Sequence, residues 1–597
     1  MAFSLASGRF LNALERAAEG QDSWRCFSPH PDMLLTVDAL SQVAQLPGDS
    51  GGWLVVIDGY LDIDGRERLA ARLGTNCNYC PSRQDDQPAT AIARLLADYG
   101  YEALDALSGC FVILAIHAER RQTLLLRDRT GGRTAYWHGD AHNLLIDSHS
   151  SRVQRHSGQA FAPDPQWIVQ FFSLATSHPP GHSAFDGIHE CLPGERLLFE
   201  SGKIQRTRPA LNLAPDFDYR NPGDCVDRFR ELFERAVAGC LPPQGPVACM
   251  LSGGLDSGPA AMVADKLLAA DDRRLVICSW RLDEFPDADE QHWIRLAGEN
   301  LREPPEPFEA SHLLPFSDLG AEQTGRDTPY LNAFRPLKQR CYQQAAEAGC
   351  RVVLNANAGD ELYPHPRFLQ IDRIKRGHWA AIWRDLVQQW RQNRFSGLTQ
   401  DLSNRGLVAH LLKPIRPARP PDWLSPTAKA LWQAPEPWPP ECRNHRFPDQ
   451  AWQLLGSRMA SGRAHESEFP ARHGVERRDP FHNEALLRFM LNAPHSLSRR
   501  QGTDKWIMRA ATRGLLPNAL RRKGRTGLLN SFHEAGFRQH RPEIQSWLTR
   551  HDNWQWWIDP ALVTQALSDK PTGRPPLLAG RCLGFGLWQA RHHNGPE

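Results

Sequence analysis

The rhythm of hydrophobic positions changes near residue 211. Before it, short apolar runs are separated by charged or glycine-containing turns. Trp53-Leu54-Val55-Val56-Ile57 precedes the turn signal Asp58-Gly59. Phe111-Val112-Ile113-Leu114-Ala115-Ile116 is joined to Thr123-Leu124-Leu125-Leu126 through the charged turn Glu119-Arg120-Arg121. Runs like these, short and without polar alternation, read as buried strands. Ile92, Leu95 and Leu96 share one face of a helix expected from about Ala89 to Tyr99. From about Asn212 the order becomes helix, strand, helix, strand. A helix around Val226 to Ala238 leads to a strand ending at Leu251. The next helix carries Ala260, Val263, Ala264, Leu267 and Leu268 at helical spacing, with Pro259 in its first turn. Leu275-Val276-Ile277-Cys278 and Arg351-Val352-Val353-Leu354 are further strands. These lengths suit right-handed crossovers in a parallel sheet. The pattern therefore predicts two α/β domains, residues 1–211 and 212–597, with a proline-rich excursion at about 412–440 whose runs Leu412 to Leu424 and Pro435 to Pro440 can form neither helix nor central strand.

One junction carries candidate chemistry. Val247 to Leu251 runs into Ser252-Gly253-Gly254-Leu255-Asp256-Ser257, and a helix follows. Glycines turn sharply and leave backbone N–H groups uncovered, and a helix N-terminus favours negative charge. Many α/β proteins use such turns for packing alone. Here two hydroxyls bracket a carboxylate, which adds phosphate donors and a ligand for Mg²⁺. The sequence is not the G-x-x-x-x-G-K-[ST] phosphate loop. Ligands in parallel sheets lie beyond the strand carboxyl ends, which places Ser279 at the same edge as this turn. Asp360, soon after Leu354, would end a neighbouring strand there. Two carboxylates with waters and phosphates suit Mg²⁺. The plainer reading of Asp360-Glu361 is a helix cap.

The overall balance, 70 Lys and Arg against 68 Asp and Glu, argues against a nucleic-acid surface as the main business of the chain. No apolar stretch is long enough to span a bilayer, and Met1 to Gly20 lacks the features of a secretory signal. The thirteen scattered cysteines fit reduced thiols, so a cytoplasmic location without membrane attachment is expected. Cys77 and Cys80 form one C-x-x-C without a second pair at zinc-binding spacing.

The Ser252-to-Ser257 turn resembles the S-G-G-x-D-S loop of the ATP pyrophosphatase (PP-loop) superfamily, whose members cleave ATP between the α and β phosphates. Wider stretches resemble asparagine synthetases. Leu107-Ser108-Gly109-Cys110-Phe111, Arg127-Asp128-Arg129-Thr130-Gly131-Gly132-Arg133 and Leu192-Pro193-Gly194-Glu195 are similar in order and spacing to their glutaminase domain. Asn355-Ala356-Asn357-Ala358-Gly359-Asp360-Glu361-Leu362-Tyr363 resembles the segment S-G-x-G-x-D-E-x-F. Glu476-Arg477-Arg478-Asp479-Pro480-Phe481 resembles the E-x-R-x-P-F turn, and Lys505 to Arg509 the K-x-x-x-R piece. The resemblance implies an N-terminal Ntn-hydrolase-like α/β sandwich and a C-terminal PP-loop synthetase domain. It implies ATP held by Leu251, Ser252, Gly253, Gly254, Asp256, Ser257, Ser279, Gly359 and Lys505, and Mg²⁺ on Asp256 and Asp360. After Leu516-Pro517 the family places a lysine that steadies the adenylated intermediate. Counting from Pro517 puts Arg525 on it and Lys523 on a neighbouring family arginine, and a short gap exchanges the two.

Two departures narrow the chemistry. The family's N-terminal cysteine nucleophile is replaced by Ala2, so the first domain is expected to be a degenerate glutaminase. The glutamate that handles the protons of ammonia is replaced by Asn357, which cannot act as a base. With these changes the chain most resembles the lasso-peptide macrolactam synthetases, and Arg419-Pro420-Pro421-Asp422-Trp423-Leu424 is similar to sequence seen in them. Such enzymes adenylate an Asp or Glu side chain of a ribosomal precursor peptide and close it onto the peptide's N-terminal amine, working beside a leader peptidase and a recognition protein. The alternatives are a β-lactam or carbapenam synthetase, an ammonia-dependent asparagine synthetase and, from another class, an ATP-binding scaffold without turnover.

Overall fold

The computed structural model describes residues 3–7, 14, 24–30, 33–38, 41–45, 52–74, 88–140, 142–173, 178–209, 213–319, 327–363, 377, 379–380, 383–384, 387, 419–434, 469–500, 503–524, 529–567 and 575–593. Its N-terminal part is a sandwich of two six-stranded sheets. One runs β10 (His189–Glu190), β8 (Tyr136–Gly139), β9 (Leu144–Asp147), β1 (Phe3–Ser7), β3 (Met33–Asp38), β2 (Trp24–His30). The other runs β12 (Lys203–Thr207), β11 (Arg196–Glu200), β7 (Gln122–Arg127), β6 (Gly109–His117), β5 (Trp53–Leu61), β4 (Gln42–Gln45). The strand pairs in both are antiparallel.

The unbroken apolar runs follow from burial on both faces. On β6, Val112, Leu114 and Ile116 point between the sheets to meet Phe3, Leu5 and Val37, while Phe111, Ile113 and Ala115 point the other way. That second face is covered by helices Ile63–Leu73 and Pro88–Tyr99, the latter close to the expected span. Asp58-Gly59, expected as a turn, instead lies inside β5, paired with Val112 and Phe111. Gly59 has φ +115°, and a Cβ there would sit 2.1 Å from the Cys110 carbonyl oxygen. The glycine thus serves close strand approach rather than chain reversal.

The C-terminal part holds a parallel sheet in the order β14 (Leu275–Cys278), β13 (Val247–Met250), β17 (Val352–Leu354), β18 (Glu476–Arg478), and a separate parallel pair of β15 (Trp280–Arg281) with β16 (Phe308–Glu309). Val247 and Cys249 pack into a core shared with helices Pro222–Cys240, Ser257–Ala270 and Glu484–Asn492, and Ala248 packs toward helix Arg335–Glu347 on the opposite face. The segment read as a turn at Glu476 is the fourth strand, and the turn proper begins at Pro480. The structure has the predicted fold class, an α/β sandwich followed by an α/β domain built on a parallel sheet. Among the described residues no helix is long and apolar enough to cross a membrane. Cys77 and Cys80 lie outside the described residues.

The two parts are joined by buried charge. Glu476 on β18 pairs with Arg133 and, at 2.7 Å, with Arg478. The Arg478 guanidinium lies 4.3 Å from the ring centre of Tyr60 on β5. Arg129 meets Glu484 at 2.8 Å, and Asn483 donates to the Asp62 carboxylate at 3.1 Å. The described piece of the proline-rich excursion, 419–434, packs apolar Leu424 and Ala428 with Phe172, Ile558 and Phe585, and the Trp423 indole donates to the Phe172 carbonyl at 3.0 Å. The rest of 412–440 lies outside the described residues.

Candidate active site

The C-terminal ends of β13, β14 and β17 bring most of the singled-out residues to one edge of the parallel sheet. Leu251 extends β13 by one bond, its N–H donating to the Cys278 carbonyl at 3.1 Å. The chain then turns at Gly253, whose φ of +63° falls in the left-handed region. A Cβ there would lie 2.6 Å from Cβ of Trp293, so only glycine lets helix Gln291–Gly298 press on the turn. Across the turn, the Ser252 N–H donates to Ser257 Oγ at 3.2 Å, and the two hydroxyls lie 3.1 Å apart. Gly254 accepts through its carbonyl from the Gly258 N–H, which starts the helix.

Asp256 stands at the N-terminus of helix Ser257–Ala270 but makes no side-chain cap. One of its oxygens, Oδ2, is bonded to the Lys505 ammonium, while Oδ1 is buried without a hydrogen-bond partner. Lys505 also reaches Asp360 Oδ1 at 2.6 Å and so bridges the two predicted metal ligands. Asp360 is 84% exposed at the mouth. Gly359 makes this convergence possible, because a Cβ there would come within 2.4 Å of Asp256 Cγ. Burial raises the Asp256 carboxyl pKa, an effect that Lys505 opposes. For Lys505, burial acts to lower the pKa, and the two carboxylates outweigh it. Lys505 itself holds φ +55°, a strained setting for a long side chain.

The remaining residues fall into place around this pair. Ser279 is fully buried just beyond β14, with its hydroxyl unpartnered. Asn357 is exposed, its backbone N–H bonded to Asn355 Oδ1 at 3.0 Å. Lys523 is not solvated: it is 5% exposed and bonded to Glu290 Oε1 at 2.9 Å and to the Gly253 carbonyl at 3.2 Å. Arg525 lies outside the described residues, as does Ala2. Two residues went unmarked in the sequence. Tyr363 presents a buried, unpartnered hydroxyl, with its ring 5.6 Å from the Lys505 ammonium. Asp479 holds the Asp360 segment by accepting from the Ala358 N–H at 3.1 Å. Asp479 lies in a recognised motif, yet its reach to β17 needed the pairing of β18.

Among the described residues no three His, Cys, Asp or Glu side chains gather in one group. A two-carboxylate site suits Mg²⁺, which keeps waters and takes phosphate oxygens. The orphaned Asp256 Oδ1 and the exposed Asp360 fit that donor set, and the glycine turn with its two hydroxyls fits the phosphates. A model of the family described as "Asparagine synthase" matches residues 228–588, which contain every one of these side chains.

The chain belongs to the asparagine synthase family.

Ahead of this synthase region, a model of the "Glutamine amidotransferase domain" matches residues 67–209. Curated relatives include an "Amidase chry2" of Gibberella zeae, 25% identical over 224 residues, covering 37% of this chain and 32% of that one. "Amidase chyE" of Penicillium rubens is 30% identical over 179 residues, 29% and 26% of the two chains. "Asparagine synthetase [glutamine-hydrolyzing] 3" of Bacillus subtilis is 28% identical over 163 residues, 27% and 26% of the two. The matches therefore span 26–32% of the length of these relatives.

Proposed function

We propose that the chain is an ATP-dependent carbon–nitrogen ligase that makes a peptide macrolactam. The observation that carries the coarser part is the convergence of Asp256, Lys505 and Asp360 on the glycine turn at the sheet edge. ATP, as co-substrate, supplies the α-phosphorus that a carboxylate attacks, after which an amine displaces AMP and an amide forms. The turn's backbone N–H groups and the Ser252 and Ser257 hydroxyls bind phosphate oxygens. Asp256 and Asp360 would hold Mg²⁺, which when bound would supply positive charge to neutralise the departing pyrophosphate. Lys505 adds a fixed cation between them, of the kind that is worth most where water is excluded.

The finer part, closure of a lasso peptide, rests on the sequence. Ala2 supplies no thiol to release ammonia from glutamine, and Asn357 supplies no base for ammonia. The amine then belongs to the substrate itself, and holding both ends of one peptide raises the effective concentration of that amine. The partners expected are a ribosomal precursor peptide, its leader peptidase and a recognition protein.

The test is to incubate the enzyme with ATP, Mg²⁺, the precursor and the partner protease. A peptide lighter by one water, lacking a free α-amine and resisting carboxypeptidase, is the expected product. Closure of a small β-amino acid with no change in any peptide would replace this reading by a β-lactam synthetase. Asparagine formed from aspartate and ammonium would favour an ammonia-dependent asparagine synthetase.

A further inference from the structure

Lys523 reaches the glycine turn together with helix Gln291–Gly298. Its ammonium donates to the Gly253 carbonyl at 3.2 Å and to Glu290 Oε1 at 2.9 Å, and it sits 4.7 Å from the ring centre of Trp293. An ammonium has three donors. Two are committed here and the aromatic face takes up the remaining side, so little capacity is left for a phosphate. Both partners are carried by one segment: Glu290 immediately precedes helix Gln291–Gly298, and Trp293 lies in it. The same helix is pressed on Gly253, where any side chain would collide with it.

We propose that Lys523 is a positioning residue, clamped by Glu290, that fixes the Gly253 carbonyl and thereby the orientation of the turn that receives the phosphates of ATP. The step from carbonyl to phosphate is geometric. In a trans peptide the C=O and the following N–H point in opposite directions, and no cis bond occurs among the described residues. Anchoring Gly253 O on Lys523 therefore aims the Gly254 N–H away from Lys523. A left-handed glycine has an easily reversed peptide, so an anchor is needed to keep that donor set. The stabilisation of developing charge then falls to Lys505 and the Arg525 region. The inference rests on the adenylating reading and adds to it which residues hold the loop.

A charge requirement distinguishes a clamp from simple packing. Burial lowers the Lys523 pKa, and the Glu290 carboxylate opposes it. Glu290 is the charged group that acts on the ammonium, and the turn contributes the Gly253 carbonyl. Without Glu290, Lys523 gives up its proton at lower pH.

The test measures the dissociation constant of a non-hydrolysable ATP analogue with Mg²⁺ on the full chain, from pH 7 to 10, for wild type, Glu290→Gln, Lys523→Met and Lys523→Arg. Lys523→Met is expected to weaken binding by about tenfold or more, the worth of a hydrogen bond to a charged group. Lys523→Arg, permanently charged, should restore most of the affinity and remove its alkaline decline. Glu290→Gln, close in shape to wild type, should shift that decline to lower pH. Wild-type affinity and an unchanged pH profile in Glu290→Gln and Lys523→Met overturn the clamp while leaving the adenylating reading intact. A wild-type chain that binds no analogue overturns both.

Discussion

Adding one methyl group at Gly359 tests the geometry of the carboxylate pair most directly. The new Cβ would lie 2.4 Å from Asp256 Cγ, 2.7 Å from its Cβ and 2.8 Å from Oδ1. Non-bonded carbons rest at about 3.5–4.0 Å, so a shift of about 1 Å is forced. The Gly359 side is held by its own N–H on the Ala356 carbonyl at 3.2 Å and by the Ala358 N–H on Asp479 at 3.1 Å. The Asp256 carboxylate is the part free to turn, and turning takes it off Lys505. Overpacking costs about 1–3 kcal/mol and a charge-assisted hydrogen bond is worth about 1.5–3 kcal/mol. The loss appears partly as stability and partly as affinity, so the dissociation constant for ATP with Mg²⁺ should rise about 10- to 100-fold in Gly359→Ala. Calorimetric titration measures it, with melting midpoints recorded alongside. Gly349→Ala is the control. Gly349 has φ +75° and open space around its Cα, so alanine there costs about 1 kcal/mol or more of left-handed strain with no effect on ATP. If Gly359→Ala binds ATP as wild type does while its midpoint moves like that of Gly349→Ala, the packing of Asp256 against Gly359 has no role in the site.

Three further outcomes are expected. Asp360→Asn should stay folded, since its carboxylate is exposed, yet lose nearly all substrate-dependent AMP release; near-normal release would remove Asp360 from the metal site. Glu476→Ala leaves Arg133 and Arg478 buried without their shared carboxylate, which should cost about 3–5 kcal/mol and show as a lower urea midpoint, whereas an unchanged midpoint would mean that water solvates the junction. Burial pushes the Asp62 carboxyl up to about 6, against hydrogen bonds from Ser108 and Gly65. The folded state therefore keeps a proton that the unfolded chain loses near pH 4, so this contribution to stability is complete below pH 4 and lost as pH rises to 6, about 3 kcal/mol in all. Asp62→Asn should lack that slope, and parallel urea midpoints for wild type and variant between pH 4 and 7 would refute it.

Local order and local chemistry were legible in the sequence. The buried strands announced themselves because both faces of the sheets are covered, and the helices because their apolar positions recur at helical spacing. The turn from Ser252 to Ser257 could be placed because a glycine pair between a strand and a helix has few other solutions. What failed or stayed silent depended on contacts across the fold. Asp58-Gly59 carries a turn signal, yet the long register between β5 and β6 runs the chain straight through it.

Lys523 stood in the sequence only as the counterpart of a family arginine, since nothing near it reveals that Glu290 and the Gly253 carbonyl wait for it more than 230 residues away. The meeting of Asp256 with Asp360 through Lys505 is of the same kind. Each residue type was set by sequence, but the bridge exists only because β13 and β17 end side by side, Lys505 at the start of helix Trp506–Ala511 reaches both carboxylates, and Gly359 leaves room. The sequence alone determined which groups can do chemistry and which local elements present them, because propensity and periodicity act over a few residues. The tertiary structure decided which groups touch, because burial and charge pairing are properties of surfaces brought together from distant parts of the chain.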